Sequence, residues 1–372
     1  MSAPAPAPAP APAPSDVLKF PCSACGAKLA FAPGSRALEC GYCGHKEDIP
    51  QTEAEVREIA LESAFDVARK KRGLGVERKT FTCQGCGALT EVEPQVTSFS
   101  CTFCGQPAVL VTEARPDRLQ PESLLPFRVG RDRALAEFRG WIQSLWFRPN
   151  ALRRQALADE IRGSYLPFWT FDAFTRSYYT GERGDHYYTE RTVTGSDGKS
   201  RPERVRHTRW TSVSGSHEQL FDDVLVPASP SAPTHLVEGL YPYPTKELVP
   251  YKPDYLAGMA AEDYRVELKD AWGTAQGTMD SAIREACRRR IGGDEQRNIR
   301  VRTSYHNRTF KLCLLPVWIA TYRFRQKPYR FCVNGVTGRV HGEAPWSVAK
   351  IAAVVALIIA IVVTIALLAS GG

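Results

Sequence analysis

Apolar residues are spaced differently in successive parts of this chain. Residues 3 to 14 alternate Ala and Pro, a pattern with no apolar face, which predicts an extended, disordered tail over residues 1–17. After Pro50, the stretch TEAEVREIALESAFDVARKKRG places Val56, Ala60, Ala64, Val67 and Ala68 on one helical stripe. Thr52 and Glu55 have capping-box spacing, acids crowd the first half, and Lys70, Lys71 and Arg72 precede Gly73. These features predict a linker helix over 51–76. From Ile351 to Ser370 the periodicity vanishes, and twenty consecutive residues carry no charge. At about 1.5 Å per residue, such a helix crosses a hydrocarbon layer of roughly 30 Å. A transmembrane helix is therefore predicted over 348–370, with Trp346 and Lys350 at the positions of an interfacial aromatic and a cytoplasmic positive charge.

Between these ends, from about residue 121, aromatic-rich alternating segments are separated by turns. Leu166-Pro167-Phe168-Trp169 recurs as Leu315-Pro316-Val317-Trp318, and Leu125-Pro126-Phe127 is echoed by Val249-Pro250-Tyr251. A helical pattern lies between the two motifs in each half. The first has Ala134, Phe138, Trp141, Ile142 and Leu145 on one face, and the second has Met279, Ile283 and Ile291. Strand-like sequence closes each half, with a turn at Ser196-Asp197-Gly198 in the first and a hairpin signal at Asn334-Gly335 in the second. The expected architecture is α+β: an antiparallel sheet with helices to one side, duplicated as units 121–240 and 241–345. The Leu-Pro motifs are expected at strand starts, where a missing N–H is tolerated.

Eight of the eleven cysteines form two quartets of identical spacing, Cys22, Cys25, Cys40, Cys43 and Cys83, Cys86, Cys101, Cys104, displaced by 61 positions. Each CxxC pair is followed by glycine, at Gly26, Gly44, Gly87 and Gly105, and Phe20 and Pro33 match Phe81 and Pro94. Four thiolates surround one ion tetrahedrally, and glycine lets the backbone turn tightly enough for both sulfurs of a knuckle to face it. Structural disulfides would need an oxidising compartment, and a redox pair would follow a strand of a βαβ unit and not need four knuckles. The spacing predicts two small β zinc ribbons, 18–50 and 77–112, joined by the linker helix. Each closes one structural Zn2+ site without an open coordination position. Phe20, Leu29 and Phe31, and then Phe81, Val92 and Phe99, are expected to fill in around the metal, with little other core.

The 372 residues carry a formal charge of +8, and its placement bears on partners. Residues 1 to 120 are near neutral, with 13 Lys and Arg against 14 Asp and Glu. From Arg284 to Arg339 there are 14 basic residues against Glu285, Asp294 and Glu295. A basic block ending close to the apolar run suits anionic lipid, nucleic acid is the competing polyanion, and a solvated face is the plain reading of any single arginine. The N-terminal tail has neither the apolar core nor the charged flank of a secretory signal, and only Gly371 and Gly372 follow the apolar run. A tail-anchored protein with reduced thiols is expected.

No catalytic constellation emerges. Asp197-Gly198-Lys199-Ser200 ends like a P-loop, but the glycine required five positions before Gly198 is Val193. His186, His207, His217, His235, His306 and His341 are scattered, and His45, directly after a knuckle, is expected to be exposed. Asp222-Asp223 reads as a solvated turn, and Cys287, Cys313 and Cys332 read as buried thiols.

The segments PYRFCVNGVTGRVHGEAPWSVAKI, YLPFWTFDA and LVPYKPDYLAGM, with the quartets, resemble a bacterial family of membrane-anchored, TFIIB-type zinc-ribbon proteins over roughly residues 18 to 370. Its members are often labelled primosomal protein N-prime or superfamily II helicase-like. They are similar to a membrane-stress component that accompanies phage-shock protein A and flotillin-like proteins. The resemblance implies a single-pass protein of the bacterial inner membrane, with its N-terminal bulk in the cytoplasm, acting as an adaptor for protein partners. No nucleotide site supports the helicase label. The competing expectation is a membrane-tethered nucleic-acid-binding protein.

Overall fold

The computed structural model describes residues 20–50, 56–64, 79–83, 89–92, 109–112, 119–155, 158–194, 200–229, 233–325 and 327–370, with the backbone alone for 79–83, 89–92, 109–112, 154–155, 158–160, 194 and 369–370. The expected tail, most of the linker and the turn at 195–199 lie outside these residues. Strands β1 (Leu29–Phe31), β2 (Ala37–Cys40) and β3 (Lys46–Asp48) form a small antiparallel sheet of their own. Within its described part, residues 56–64, the linker is not the continuous helix expected. Residues 56–58 have no regular structure, and β4 (Ile59–Ala60) pairs with a strand of the main sheet before a 3-10 turn at Leu61–Ser63. Ile59 is buried there, and tertiary burial of one β-branched residue overrides the local helical pattern.

Strands β5 (Lys79–Cys83), β6 (Leu89–Val92) and β7 (Val109–Thr112) form a second antiparallel group centred on β5. The main sheet then adds β8 (Ser123–Leu124), β9 (Ala158–Thr194), β10 (Ser200–Pro227), β11 (Val249–Pro250), β12 (Ala260–Ala261), β13 (Glu295–Phe324), β14 (Lys327–Asn334) and β15 (Val340–Gly342). Strands β9 and β13 run antiparallel as its spine, with Leu166 opposite Leu315. The outer edge of β9 carries β10 and, past its end, β12 in parallel. The outer edge of β13 carries β14 and then β8 in parallel.

The Leu-Pro motifs therefore lie in mid-strand, contrary to expectation. Pro167 falls between the end of β10 at Phe168 and the start of β12 at Tyr165, and Pro316 falls between β14 at Val317 and β8 at Leu314. Their carbonyls accept outward-edge bonds from Ala228 N–H and Gly335 N–H, each at 2.9 Å. In an antiparallel strand the nitrogen of such a residue points to the same edge, so the missing N–H falls in the gap between neighbours and removes no ladder bond. The echo of Leu125-Pro126-Phe127 in Val249-Pro250-Tyr251 is not positional either. Val249 pairs with Leu124, whereas the segment that meets β9 as Ser123–Leu124 meets β13 is Ala260–Ala261.

Helices α1 (Arg131–Ser144), α2 (Leu152–Gln155), α3 (Thr234–Glu238) and α4 (Leu268–Ile291) surround the spine. On α1, Ala134, Phe138 and Ile142 are buried, and the Phe138 ring stacks on Phe331 at 3.7 Å between centroids. On α4, Ala271, Ala275, Met279, Ile283, Cys287 and Ile291 form one stripe at four-residue spacing. Both helices cover the same face of the sheet, with Trp169, Phe171 and Phe310 under α4 and Tyr165, Trp318 and Tyr322 by α1. The opposite face is not open, as the expectation of helices on one side implied. Leu236, Val237 and Leu240 of the α3 region cover Leu166, Phe168 and Leu315 there. Cys287, Cys313 and Cys332 are buried thiols, and burial pushes Cys332 up to about 12.

The basic block does not gather beside the C-terminal segment. Arg300 and Arg302 sit near the start of β13, and Phe324 at its end. At about 3.3 Å per residue these lie on the order of 80 Å apart along the strand. Beyond Gly184 and Glu295, β9 and β10 continue as a two-stranded ribbon, so the sheet tapers into a long polar blade.

Asp223 is not a solvated turn residue. It lies at a bulge in β10 with φ of 52°, and its carboxylate is 2.7 Å from the Lys311 ammonium, with both side chains under a tenth exposed. Lys311 also reaches Glu58 at 3.3 Å, and Asp172 accepts from Asp223 N–H and Thr309 Oγ1, so this cluster fixes the β4 segment to the spine. Burial lowers the ammonium's pKa, but the Asp223 carboxylate outweighs it and holds Lys311 above its ordinary value. Its contribution to stability is therefore complete below about pH 10 and is lost as the pH rises through the raised value. K311A leaves the Asp223 charge buried alone and is expected to lower the unfolding free energy by about 3 kcal/mol. A loss below about 1 kcal/mol in chemical denaturation would mean that solvent screens the pair.

Candidate metal centre

Backbone turns place the first cysteine quartet. Cys22 and Cys25 precede β1, Cys40 ends β2, and Cys43 lies in the turn to β3. Gly26 N–H donates to Cys22 O at 2.8 Å and Gly44 N–H to Cys40 O at 2.9 Å. Both glycines have φ of 73°, in the left-handed region that a Cβ disfavours, so each knuckle closes because glycine follows its second cysteine. The Sγ atoms of Cys22 and Cys43 are 3.6 Å apart, as are those of Cys25 and Cys40. All four lie within 4.8 Å of one another. Sulfurs held at about 2.3 Å around a tetrahedral zinc would have edges of about 3.8 Å, whereas a disulfide would need about 2.05 Å. The donor set and its spacing are thus compatible with one zinc ion and not with paired disulfides.

The surroundings are polarised toward thiolate at one ligand. Backbone N–H groups of Cys43 and Tyr42 hold the Cys40 thiol down at about 6. Cys25 is pushed up to about 12 despite the lowering bond from the Ala27 backbone, because the Cys43, Cys40 and Cys22 side chains hold its proton. Metal binding would displace such shared protons. Ser23 N–H donates to Glu47 Oε1 at 2.8 Å and pairs through its hydroxyl with His45 Nε2 at 3.1 Å, which ties the first knuckle to β3. His45 is exposed as expected.

The module is not a free ribbon with a core of its own. Phe31 N–H donates to Ala257 O and Gly34 N–H to Phe127 O, each at 2.9 Å, and the Phe31 and Tyr255 rings meet edge-on at 5.3 Å. Cys22 and Cys40 are buried in one cluster with Leu29, Phe31 and Tyr255, while Cys25 and Cys43 face outward. Sequence reasoning missed this docking, since nothing in the spacing of Tyr255 points to it. It also missed Tyr42, which projects from the second knuckle 86% exposed. The signal for Tyr42 was legible, because residues between two ligands of a knuckle point away from the ion.

Of the second quartet, Cys83 ends β5, while Cys86, Cys101 and Cys104 lie outside the described residues. The backbone does repeat in part: Thr82 pairs with Leu89 as Pro21 pairs with Lys28, 61 positions earlier. Asp172, Asp222 and Asp223 also converge, and among them Asp223 is paired with the Lys311 ammonium at 2.7 Å.

The final helix, α5 (Val348–Ser370), is long and apolar enough to cross a membrane, and among the described residues nothing buries its span Val348–Leu368. This fits single-pass anchoring.

The chain is similar to an uncharacterized protein of Bacillus subtilis (strain 168), YdjG, with 27% identity over 355 residues that cover 91% of this chain and 93% of that protein. No family model matches the chain. No solved structure matches it.

C22S/C40S is expected to remove about one equivalent of zinc per chain and to lower the melting temperature, because the ligands are shared with the domain core. Metal analysis and thermal unfolding check this. Unchanged zinc content would exclude the first quartet as a metal centre.

Proposed function

We infer that the protein is a non-enzymatic, membrane-anchored adaptor that holds two structural zinc ions and presents binding surfaces to protein partners at the cytoplasmic face. One observation carries this reading. A cysteine module displaying Tyr42 is fixed to an elongated sheet, and that sheet is joined to an exposed apolar helix. A rigid, amphipathic tyrosine on a closed metal knuckle is a good anchor for a partner surface. On this account residues 121–240 and 241–345 are two copies of one unit that exchange their short strands. The reciprocal pairings of β8 with β13 and β12 with β9 support that relation. The likeness to YdjG over most of both chains is consistent with a whole-chain architecture and assigns no activity.

The blade favours a second reading, nucleic acid. Arg300 and Arg302 stand exposed on the sheet face that also carries Tyr178, Ser214 and Ser216, and the exposed ring and guanidinium groups suit a polyanion. A steep fall of DNA or RNA binding with salt would support that reading in place of the first.

Crosslinking of the full chain in intact membranes tests the adaptor. Y42A is expected to reduce recovery of its protein neighbours about tenfold while leaving zinc content unchanged. Equal recovery with Y42A and wild type would contradict a partner surface at this knuckle. The full chain is also expected to stay in the pellet on carbonate extraction, and its release would contradict the anchor.

A further inference from the structure

The connection between α1 and α2 lies against the first turn of α5, although 200 or more residues separate their contacts in sequence. Ser347 N–H donates to Phe147 O at 2.9 Å. The Lys350 ammonium donates to Trp146 O at 2.8 Å and to Asn150 Oδ1 at 2.7 Å. The Arg148 guanidinium lies 3.5 Å from the centroid of the Trp346 ring, and its Nη1 is buried with no hydrogen-bond partner among the described residues. Trp146 and Phe147 meet edge-to-face at 4.9 Å. These bonds fix the start of α5 to the folded domain, so the segment is not a loose tether.

This junction leaves large aromatic surface uncovered. Trp146 is 56%, Phe147 41% and Trp346 63% exposed, and Trp146 and Trp346 are the exposed tryptophans among the described residues. Through the Ser347–Phe147 and Lys350–Trp146 bonds these rings lie beside the first turn of α5, whose apolar wall no described residue buries. Residues 139–155 include Arg139, Arg148, Arg153 and Arg154 and no Asp or Glu. Aromatic rings with a polar edge, flanked by arginines at the start of a spanning helix, match the headgroup layer of a bilayer. A protein partner would cover the rings equally well. However, the rings flank the first turn of the helix that the bilayer itself would cover, and this singles out lipid.

We propose that residues 146–153 are a second membrane contact: Trp146 and Phe147 insert into the interfacial layer of the bilayer that α5 crosses, while Arg148 and Arg153 meet phospholipid phosphates. The contact rests on the reading of α5 as a spanning helix. It gives the domain a fixed height and orientation on the membrane, and it occupies the Lys350 charge with a loop carbonyl and an amide. It places lipid contact at the α1–α2 connection, not along the basic residues of α4 and β13, whose far members lie along the blade.

Fluorescence quenching by phospholipids brominated near the headgroup tests the contact, using the full chain reconstituted in vesicles of phosphatidylethanolamine and phosphatidylglycerol. Because α5 contains no tryptophan, W346F removes the reporter beside the helix and leaves Trp146. W346F is expected to keep roughly half of the wild-type quenching, and W146F/W346F to lose nearly all of it. Equal quenching of the two variants, with unchanged near-ultraviolet circular dichroism, would overturn the contact. Carbonate extraction of the same vesicles separates the two readings. A chain released by carbonate removes the spanning helix, whereas a chain retained without quenching through Trp146 removes the loop contact alone.

Discussion

The antiparallel pairing of β9 with β13, in register at Leu166 and Leu315, is the constraint from which the rest of the structure follows. Along its outer edge β9 serves β10 and β12, and β13 serves β14, β8 and then β4, and each strand changes from its long neighbour to a short one at its proline. The residue that would weaken a central strand anywhere else stands where no partner asks for its N–H. The same pairing sets the faces of the sheet. Odd positions of β9 opposite even positions of β13 receive both α1 and α4, and the alternate set receives the α3 region. A shift of one residue would turn Trp169 and Phe171 away from α4, which is why burial on both faces specifies the register tightly.

What was legible in the sequence was local. The helix faces of α1 and α4 followed from their periodicity, and the glycines after each knuckle marked the turns at Gly26 and Gly44. The α+β character and the apolar C-terminal helix were also readable. What could not be read depended on contacts between distant residues. Ile59 carries a helical pattern around it, yet β4 joins β13 some 250 residues away. Val249-Pro250 resembles Leu125-Pro126 by residue type, but only pairing reveals that Ala260–Ala261 occupies the matching place. The basic block is contiguous in sequence but not in space, because the 30-residue β13 holds Arg300 and Arg302 near one end and Arg323 near the other. The hairpin at Asn334 forms, but its left-handed residue is Gly338, because Asn334 Oδ1 accepts from Val336 and Thr337 N–H and widens the turn.

The first cysteine module and the sheet are joined through shared burial, and α5 is held to the domain by hydrogen bonds at its start. Cys22 and Cys40 sit in one apolar cluster with Tyr255 and Phe127, so an ion held there would brace a domain contact as well as two knuckles. At the other end, Ser347 and Lys350 bind the α1–α2 connection directly. On the proposed function, these contacts would hold partners at a set distance from the bilayer that α5 crosses.

Amide hydrogen exchange of the full chain in lipid nanodiscs measures the spine itself. The account predicts the slowest exchange at residues 163–169 and 312–318, with protection falling steadily toward Gly184 and Glu295. Exchange at 163–169 as fast as at the blade tip would show that the two strands do not form the common core, and would contradict the account at its base.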